Sequence, residues 1–392
     1  MQRTALAIVL VITAAAYAIA ETATMPTKPQ VPIPLGTPPA NAPLALPPPS
    51  DPDPAMNNPD MVSWQLFVTV NAPAATSGNN NALFETWASD DDTFTQNPVW
   101  PTTPTGSKLK PPALQRFAPA VHGLQPRISP DGSEEVRRNK VSFDFIKDNK
   151  LFTKAGLKAA FAAKKTITFP VDSIEVKANW TEVKGSIDPK KYHVNTAANG
   201  KQYALVSMHI ISKQIPNWTW ATFEHQDNKG RCDFIGCHDA FGAIVADVPA
   251  KPPVGTYGAC AKTDALKKMM ADAKLEAVFE NYCLKGSQPE FTSATGVPTL
   301  LGNSVTENGF VNTSSCITCH SRASTDATGG SPQGAGFLNP PVAAVCPTGN
   351  PCSPNGTPNP TWFWNNPGKP NQTIKTLQTD FVWAIPLNAI GP

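Results

Sequence analysis

A five-residue run, Cys316-Ile317-Thr318-Cys319-His320, constrains this chain of 392 residues more than any other feature. In a helical turn, positions i, i+3 and i+4 leave one face, so both thiols and the imidazole project in the same direction. Each thiol can add to one vinyl group of a porphyrin, and the adjacent histidine can bind the iron as an axial ligand. The run therefore predicts covalent attachment of one c-type haem, with His320 as an iron ligand.

The first twenty residues have the pattern of an export signal. Met1-Gln2-Arg3 is a short basic start, the stretch 4–13 is apolar, and Ala18-Ile19-Ala20 has the form of a peptidase cleavage site. The apolar stretch is shorter than a membrane span needs, and no cysteine near the cleavage site offers a lipid anchor. We therefore expect a bacterial periplasmic or secreted protein that loses residues 1–20 and has no membrane anchor.

Six cysteines remain once the two predicted haem thiols are set aside. An even number of cysteines in an oxidising compartment indicates disulfides, and the simplest pairing joins neighbours in the sequence. The pairs predicted in this way are Cys232 with Cys237, Cys260 with Cys283, and Cys346 with Cys352.

The segment 232–238 offers an alternative to one of these disulfides. Its Cys-x4-Cys-His spacing is a wider form of the haem-attachment motif, in which Cys232, Cys237 and His238 would hold a second haem. Four intervening residues do not place both thiols and the imidazole on one helical face. We therefore prefer a local disulfide at this position and one haem per chain.

The composition argues against some classes of partner. The formal net charge is +2, which is close to neutral for a chain of this length. Nucleic-acid-binding proteins usually present a strongly basic surface, so we expect no nucleic-acid partner. The 42 prolines and 25 glycines indicate many loops and few long helices.

Three segments follow the predicted signal peptide. Residues 21–59 are dense in proline, which predicts an extended linker. Residues 60–252 are predicted to form a mixed, sheet-centred domain, and residues 253–392 a cytochrome c-like haem domain. The expected fold class is α+β, with the sheet-centred domain at the N-terminus and a loop-rich, partly helical c-type haem domain at the C-terminus.

Periodicity places the main elements within these segments. Apolar residues at helical spacing predict helices after Pro59 and over 153–165 and 264–283, with Thr263 or Asp264 as N-cap of the last. Alternation of apolar and polar residues predicts strands. The predicted strands are 173–180, 203–212, 218–225 and 380–386.

Two longer strings resemble a group of exported proteobacterial cytochrome c family proteins. They are the segment 218–225, with the sequence WTWATFEH, and the segment 314–323, with the sequence SSCITCHSRA. The Cys-x-x-Cys-His run within the second is typical of c-type cytochromes as a class. The resemblance implies one covalent haem and a redox function, without an assigned reaction.

The sixth ligand of the iron decides the function. Small cytochromes c use a methionine downstream of the haem histidine, but all seven methionines here precede His320. His225 and His209 are the candidates, because a hairpin that pairs residue 212 with 218 would place both on one face. Arg322 is a candidate partner for a haem propionate, since arginine binds carboxylates in a bidentate manner.

Three functions remain open on this basis. A filled sixth position favours transfer of single electrons between redox partners such as a dehydrogenase or an oxidase, and we expect this function first. An open position would allow a peroxidase-like or oxygen-activating oxidoreductase, with Glu224 and His225 as a distal acid–base pair. In a third hypothesis the N-terminal domain docks to a partner enzyme and the haem is its electron outlet.

Overall fold

A computed structural model describes residues 53–74, 81–101, 132–197, 200–251, 254–308, 310–331 and 355–391. The predicted signal peptide, most of the predicted linker, and the cysteines 346 and 352 lie outside these ranges. Helices and an antiparallel sheet are both present, which confirms the α+β class. Within the described ranges, no helix combines the length and apolar character that a membrane span requires.

The helices are short and are joined by loops and turns. The α-helices are α1 (Pro54–Asn57), α2 (Pro59–Asn71), α3 (Asp90–Thr93), α4 (Lys140–Asp148), α5 (Lys154–Ala162), α6 (Asp264–Asp272), α7 (Cys316–Ser321) and α8 (Ala384–Asn388). The 3-10 helices are Leu83–Thr86, Ala277–Asn281, Val311–Thr313 and Pro360–Trp362.

The strands are β1 (Ala88–Ser89), β2 (Gly132–Arg138), β3 (Ile174–Glu182), β4 (Val194–Thr196), β5 (Gln202–Ser212), β6 (Thr219–His225), β7 (Cys237–His238), β8 (Asp247–Val248), β9 (Tyr282–Gln288), β10 (Ser324–Thr325), β11 (Trp364–Asn365), β12 (Thr373–Ile374) and β13 (Leu377–Gln378). Seven of them form one antiparallel sheet in the order β1-β2-β3-β5-β6-β9, with β4 also paired to β5. Because β9 pairs with β6, the sheet contains residues from both sides of position 252.

One face of this sheet is apolar and is covered by α2. Val176 and Met208 lie on this face and are fully buried. The ring of Phe67 on α2 lies 4.4 Å from that of Phe223 on β6, and the ring of Trp64 lies 4.9 Å from it. Each such side chain contributes about 1.5–3 kcal/mol through burial, so this layer is a principal part of the core.

The other face carries charged and hydrogen-bonding side chains, and we call it the polar face. Residues directly opposite each other in an antiparallel pair point to the same side of a sheet, so the strand register defines this set. The polar face includes Glu134, Val136, Arg138, Glu175, Lys177, Asn179, Ser207, His209, Ile211, Trp220, Thr222 and Glu224.

Side-chain caps explain where two of the predicted helices begin. Thr153 accepts a hydrogen bond from the backbone N–H of Gly156, and Thr263 accepts one from that of Leu266. The helix predicted over 264–283 is wrong in its second half, because α6 ends at Asp272. Lys274 has a φ of 53°, which is incompatible with continuing a right-handed helix.

One predicted boundary and one predicted strand were wrong. The predicted linker extends to residue 59, but α1 already occupies Pro54–Asn57. The segment 380–386 is a turn followed by α8, because Asp380 and Phe381 have φ values of 50° and 70°. The Asp380 carboxylate holds this turn by accepting hydrogen bonds from the Phe169 backbone N–H and the Lys213 ammonium, both at 2.7 Å.

A buried histidine beside the apolar layer makes the stability of the fold depend on pH. The ring nitrogens of His193 each lie 3.0 Å from a carboxylate oxygen, one of Glu85 and one of Glu276. Burial lowers the pKa of His193, but the two carboxylates outweigh it and raise the pKa to about 9. This value is above the ordinary 6.5, so the stabilisation is complete below pH 6.5 and is lost as the pH rises through about 9.

We expect the His193→Gln variant to lack this pH-dependent stability. Urea unfolding of both proteins from pH 6 to pH 10 measures it as the difference in the free energy of unfolding. The difference should be on the order of 3 kcal/mol near pH 6 and should shrink as the pH passes about 9. A difference that stays constant over this range would show that His193 is neutral in the folded protein.

Candidate haem site

The Cys-x-x-Cys-His run forms the first five residues of α7, Cys316–Ser321. Cys316 and Cys319 are free thiols, whereas the other four cysteines that the structure describes are paired. The helix begins at Cys316, so both thiols and the His320 imidazole occupy positions i, i+3 and i+4 of one turn. The local geometry is therefore the one that the covalent haem requires.

The disulfides confirm two of the predicted pairs. Cys232 is bonded to Cys237, and Cys260 is bonded to Cys283. The first bond consumes the thiols that a second haem would need. His238 instead lies with Nδ1 2.7 Å from a carboxylate oxygen of Asp247.

The His320 ring is oriented as a metal ligand would be. Its Nδ1 lies 2.9 Å from the carbonyl oxygen of Phe381. A carbonyl can only accept, so the proton is on Nδ1 and the electron pair is on Nε2. Burial lowers the pKa of His320 to about 3, which keeps the imidazole in the neutral form that binds metals. The hydrogen bond from the far nitrogen is the usual support of a ligating histidine.

Both thiols lie in a low-polarity environment. The Cys316 thiol donates a hydrogen bond to the carbonyl of Leu301 at 3.3 Å. Burial raises the pKa of Cys316 well above its ordinary value and that of Cys319 to about 11. The two thiols are therefore protonated at neutral pH, and such thiols react slowly with disulfides. This property favours their survival as free thiols beside four oxidised cysteines.

An aromatic ring packs on His320, and α7 contributes to a buried apolar cluster. The Trp220 ring centroid lies 4.6 Å from that of His320, and the Trp383 indole N–H donates to the carbonyl of Cys319 at 3.1 Å. A haem needs a dry, apolar surrounding of this kind to set its potential. Further buried apolar residues of the same cluster are Leu301, Ile317, Leu377, Val382 and Ile385. The donor set and its surroundings fit a covalent haem.

His209 lies on the polar face opposite Thr222. Its Nδ1 is 2.7 Å from the Thr222 hydroxyl, which also forms a hydrogen bond with the Cys316 thiol. The Asn303 side-chain amide nitrogen lies 3.1 Å from Nε2. The Asn303 carbonyl oxygen accepts two backbone N–H groups, so the amide nitrogen is the atom that faces Nε2 of His209.

His209 and His320 each contact a side chain of β6. His209 contacts Thr222, and His320 packs on Trp220, two residues away on the same face of that strand. Same-face neighbours on a strand are about 7 Å apart. The charges of Lys177 and His209 also help to lower the pKa of His320, after burial. His209 therefore faces the haem segment.

A glutamate and a lysine complete this side of the site. Glu307 Oε1 lies 3.4 Å from His209 Nε2, and the other carboxylate oxygen accepts the Asn303 backbone N–H at 2.6 Å. Burial tends to raise the pKa of Glu307, but His209, Asn303 and Lys177 together lower it. Lys177 itself is paired with Glu134 at 3.0 Å.

The predicted register of the β5–β6 hairpin is wrong by one residue. Ser212 pairs with Thr219 instead of residue 218, so His209 faces Thr222 and His225 lies on the opposite face. There, Nδ1 accepts the Asp227 backbone N–H, and Nε2 lies 3.0 Å from the Lys191 carbonyl. Because the haem motif contacts the other face through Thr222 and Trp220, His225 is withdrawn as a sixth ligand.

Glu224 and His225 do not form the predicted distal pair, because neighbours along a strand point to opposite faces. Glu224 lies on the polar face, where it accepts hydrogen bonds from the Ser304 backbone N–H at 2.9 Å and from the Asn228 amide at 3.0 Å. Arg322, the predicted propionate partner, is buried with its guanidinium 4.0 Å from the Trp362 ring centroid. The structure brings His209, but neither His225 nor a Glu224–His225 pair, to the haem motif.

Sequence reasoning missed Lys177, Thr222 and Glu307 at this site. The alternation of Glu175, Lys177 and Asn179 along β3 was the available sign that one side of the sheet is polar. For Glu307 the sequence gives no such sign, since it lies in a loop before α7. Comparison of the chain with protein-family models, curated proteins and solved structures gave no match, so the function rests on these residues.

Proposed function

We propose that this chain is a c-type haem protein that transfers single electrons between redox partners. Cys316 and Cys319 would hold the haem covalently, His320 would be the first axial ligand, and His209 the second. The observation that carries the proposal is the His320 ring, whose Nδ1 donates to the Phe381 carbonyl at 2.9 Å, so that Nε2 keeps its electron pair, next in sequence to the free thiol of Cys319.

The haem would supply a one-electron iron couple when bound. The chain's own residues restrict movement around it. His320 is held by the Phe381 carbonyl and the Trp220 ring, and His209 is held on a central strand by Thr222. Ligands fixed in this way keep their geometry when the charge of the site changes, which suits electron transfer.

We further propose that the protein acts in the bacterial periplasm or outside the cell. The export pattern of residues 1–20 and the two disulfides support an oxidising compartment. In this proposal residues 253–392 carry the haem. The polar face of the sheet, which holds His209, would cover the haem on the side of the second axial ligand. Its redox partner would be a dehydrogenase or an oxidase.

A second candidate is a peroxidase-like or oxygen-activating oxidoreductase. The observation that favours it is the contact between Glu307 and His209, at 3.4 Å. If His209 does not bind the iron, these two side chains could hold and move a proton beside it. This pair would take the role that was first assigned to Glu224 and His225.

Substitution of the sixth ligand separates the two candidates. The wild-type protein, reduced with dithionite, should have a low-spin visible spectrum that CO leaves unchanged. The His209→Ala variant should become high-spin and bind CO, because it opens the sixth position. His238→Ala, which alters a histidine exposed at the surface, is the control and should behave as the wild type. A wild-type protein that binds CO as readily as His209→Ala would exclude the carrier and favour the enzyme.

A further inference from the structure

A buried lysine lies at the edge of the sheet that contacts the haem motif. Lys285 is 2 % exposed, and its ammonium nitrogen has no hydrogen-bond partner among the residues that the structure describes. Buried charged groups in folded proteins are almost always paired, since an unpaired one loses its hydration without compensation. Lys285 therefore points to an anion that the described part of the chain does not provide.

A break in the sheet register places Lys285 there. Thr222 on β6 pairs with Gly286, but its neighbour Phe223 pairs with Leu284, so Lys285 is left without an opposite residue. Such a β-bulge redirects a side chain and is common beside functional sites. The bulge lies next to Thr222, the residue that contacts both His209 and the Cys316 thiol.

The acidic side chains around Lys285 are engaged elsewhere. Burial lowers the pKa of Lys285, and the attraction of Glu224, Glu307 and Asp233 opposes this effect. Glu224 accepts hydrogen bonds from Ser304 and Asn228, and Glu307 accepts one from the Asn303 backbone. Glu224 follows Thr222 by two residues on the polar face, and Glu307 lies 3.4 Å from His209, so both acids lie beside the residues that contact the haem motif.

We propose that Lys285 is the buried partner of a haem propionate. A propionate is the carboxylate that the haem would bring to this site, and an ammonium ion can pair with it as a point charge. Arg322, the sequence-based candidate, has its guanidinium stacked on Trp362. The inference rests on the proposed haem and adds the residue that receives one of its acidic groups.

The sign of a stability change tests this pairing. Lys285→Met is made in the exported full chain with haem and in a Cys316→Ala/Cys319→Ala background that cannot attach it. In the haem-loaded protein the variant should lower the thermal midpoint, because a propionate loses its partner. In the haem-free background it should raise the midpoint, because an unpaired buried charge is removed. A shift in the same direction in both backgrounds would overturn the proposal.

A matched control and a second measurement complete the test. Lys262 is 4 % exposed, but its ammonium donates to the Cys260 carbonyl at 2.8 Å, so Lys262→Met should shift both backgrounds in one direction. In the haem-loaded protein, Lys285→Met should also lower the reduction potential, because a cation beside the haem favours the reduced state. Lys285→Arg should restore it. An unchanged potential in Lys285→Met would contradict the pairing even if the haem-free background does not fold.

Failure of the haem proposal would be seen separately. A wild-type protein without a haem spectrum refutes the proposed function before any lysine is changed. A wild-type protein with haem, and Lys285→Met without the opposite shifts, refutes only the propionate pairing.

Discussion

The double variant Cys316→Ala/Cys319→Ala is expected to contain no covalently bound haem. Both thioether bonds of the proposed haem come from these two residues, which are free thiols on one turn of α7. Denaturing electrophoresis followed by a stain for haem-dependent peroxidase activity should show colour with the wild-type chain and none with the variant. The expected effect is a complete loss of the signal.

A matched pair of cysteines provides the control for this loss. Cys260→Ala/Cys283→Ala removes a disulfide from the same exported chain and should keep the haem, although it should cost about 2–4 kcal/mol of stability. Haem that remains bound through denaturation in Cys316→Ala/Cys319→Ala would mean that the attachment site lies elsewhere.

The variant Arg138→Met is expected to lose about 3–5 kcal/mol of stability. Arg138 is 0 % exposed and lies at the edge of the polar face. Its guanidinium pairs with Asp90 and with Glu175, and it donates to the Thr93 hydroxyl at 2.6 Å. Methionine has a similar length but no charge, so it would remove the cation that faces the buried Glu175 carboxylate and the partly buried Asp90 carboxylate.

This network joins distant parts of the chain. Asp90 also accepts a hydrogen bond from Asn388 on α8 at 3.1 Å, so the Arg138 pair connects the sheet to the C-terminal segment. We therefore expect Arg138→Met to weaken the support of Phe381 as well as global stability. Guanidinium chloride unfolding measures the global stability, and the haem content of the purified protein measures the support of the site by Phe381.

An exposed ion pair is the control for Arg138. Lys140 pairs with Asp144 one helical turn away, and both side chains are exposed. Lys140→Met should change the stability by less than about 1 kcal/mol, as solvent-exposed pairs do. Equal losses for Arg138→Met and Lys140→Met would show that the buried network does not contribute the stability assigned to it.

The local features of the fold were predictable from the sequence because they depend on neighbouring residues. The strands β3, β5 and β6 lie where the sequence predicts strands, and α6 has its N-cap at Thr263, one of the two residues that the sequence indicates. The haem-attachment run and both described disulfides are likewise short-range patterns. Each depends on spacing within about 25 residues.

Features that depend on long-range contacts were not predictable. The face of His209 and His225 changes with a shift of one residue in the β5–β6 register, and the turn residues do not fix that register. The turn at Asp380 depends on Lys213 and Phe169, which are far away in the sequence. The bulge that directs Lys285 inward depends on the pairing of β6 with β9, a contact that the sequence pattern does not show.

The intact mass of the mature protein, exported to the periplasm, purified and then denatured, tests the central claim most directly. We predict a mass equal to the polypeptide plus one haem after acid extraction of all non-covalent cofactors. The added mass should be confined to the peptide that contains Cys316, Cys319 and His320. A mass equal to the polypeptide alone would contradict the haem site and the electron-transfer function built on it.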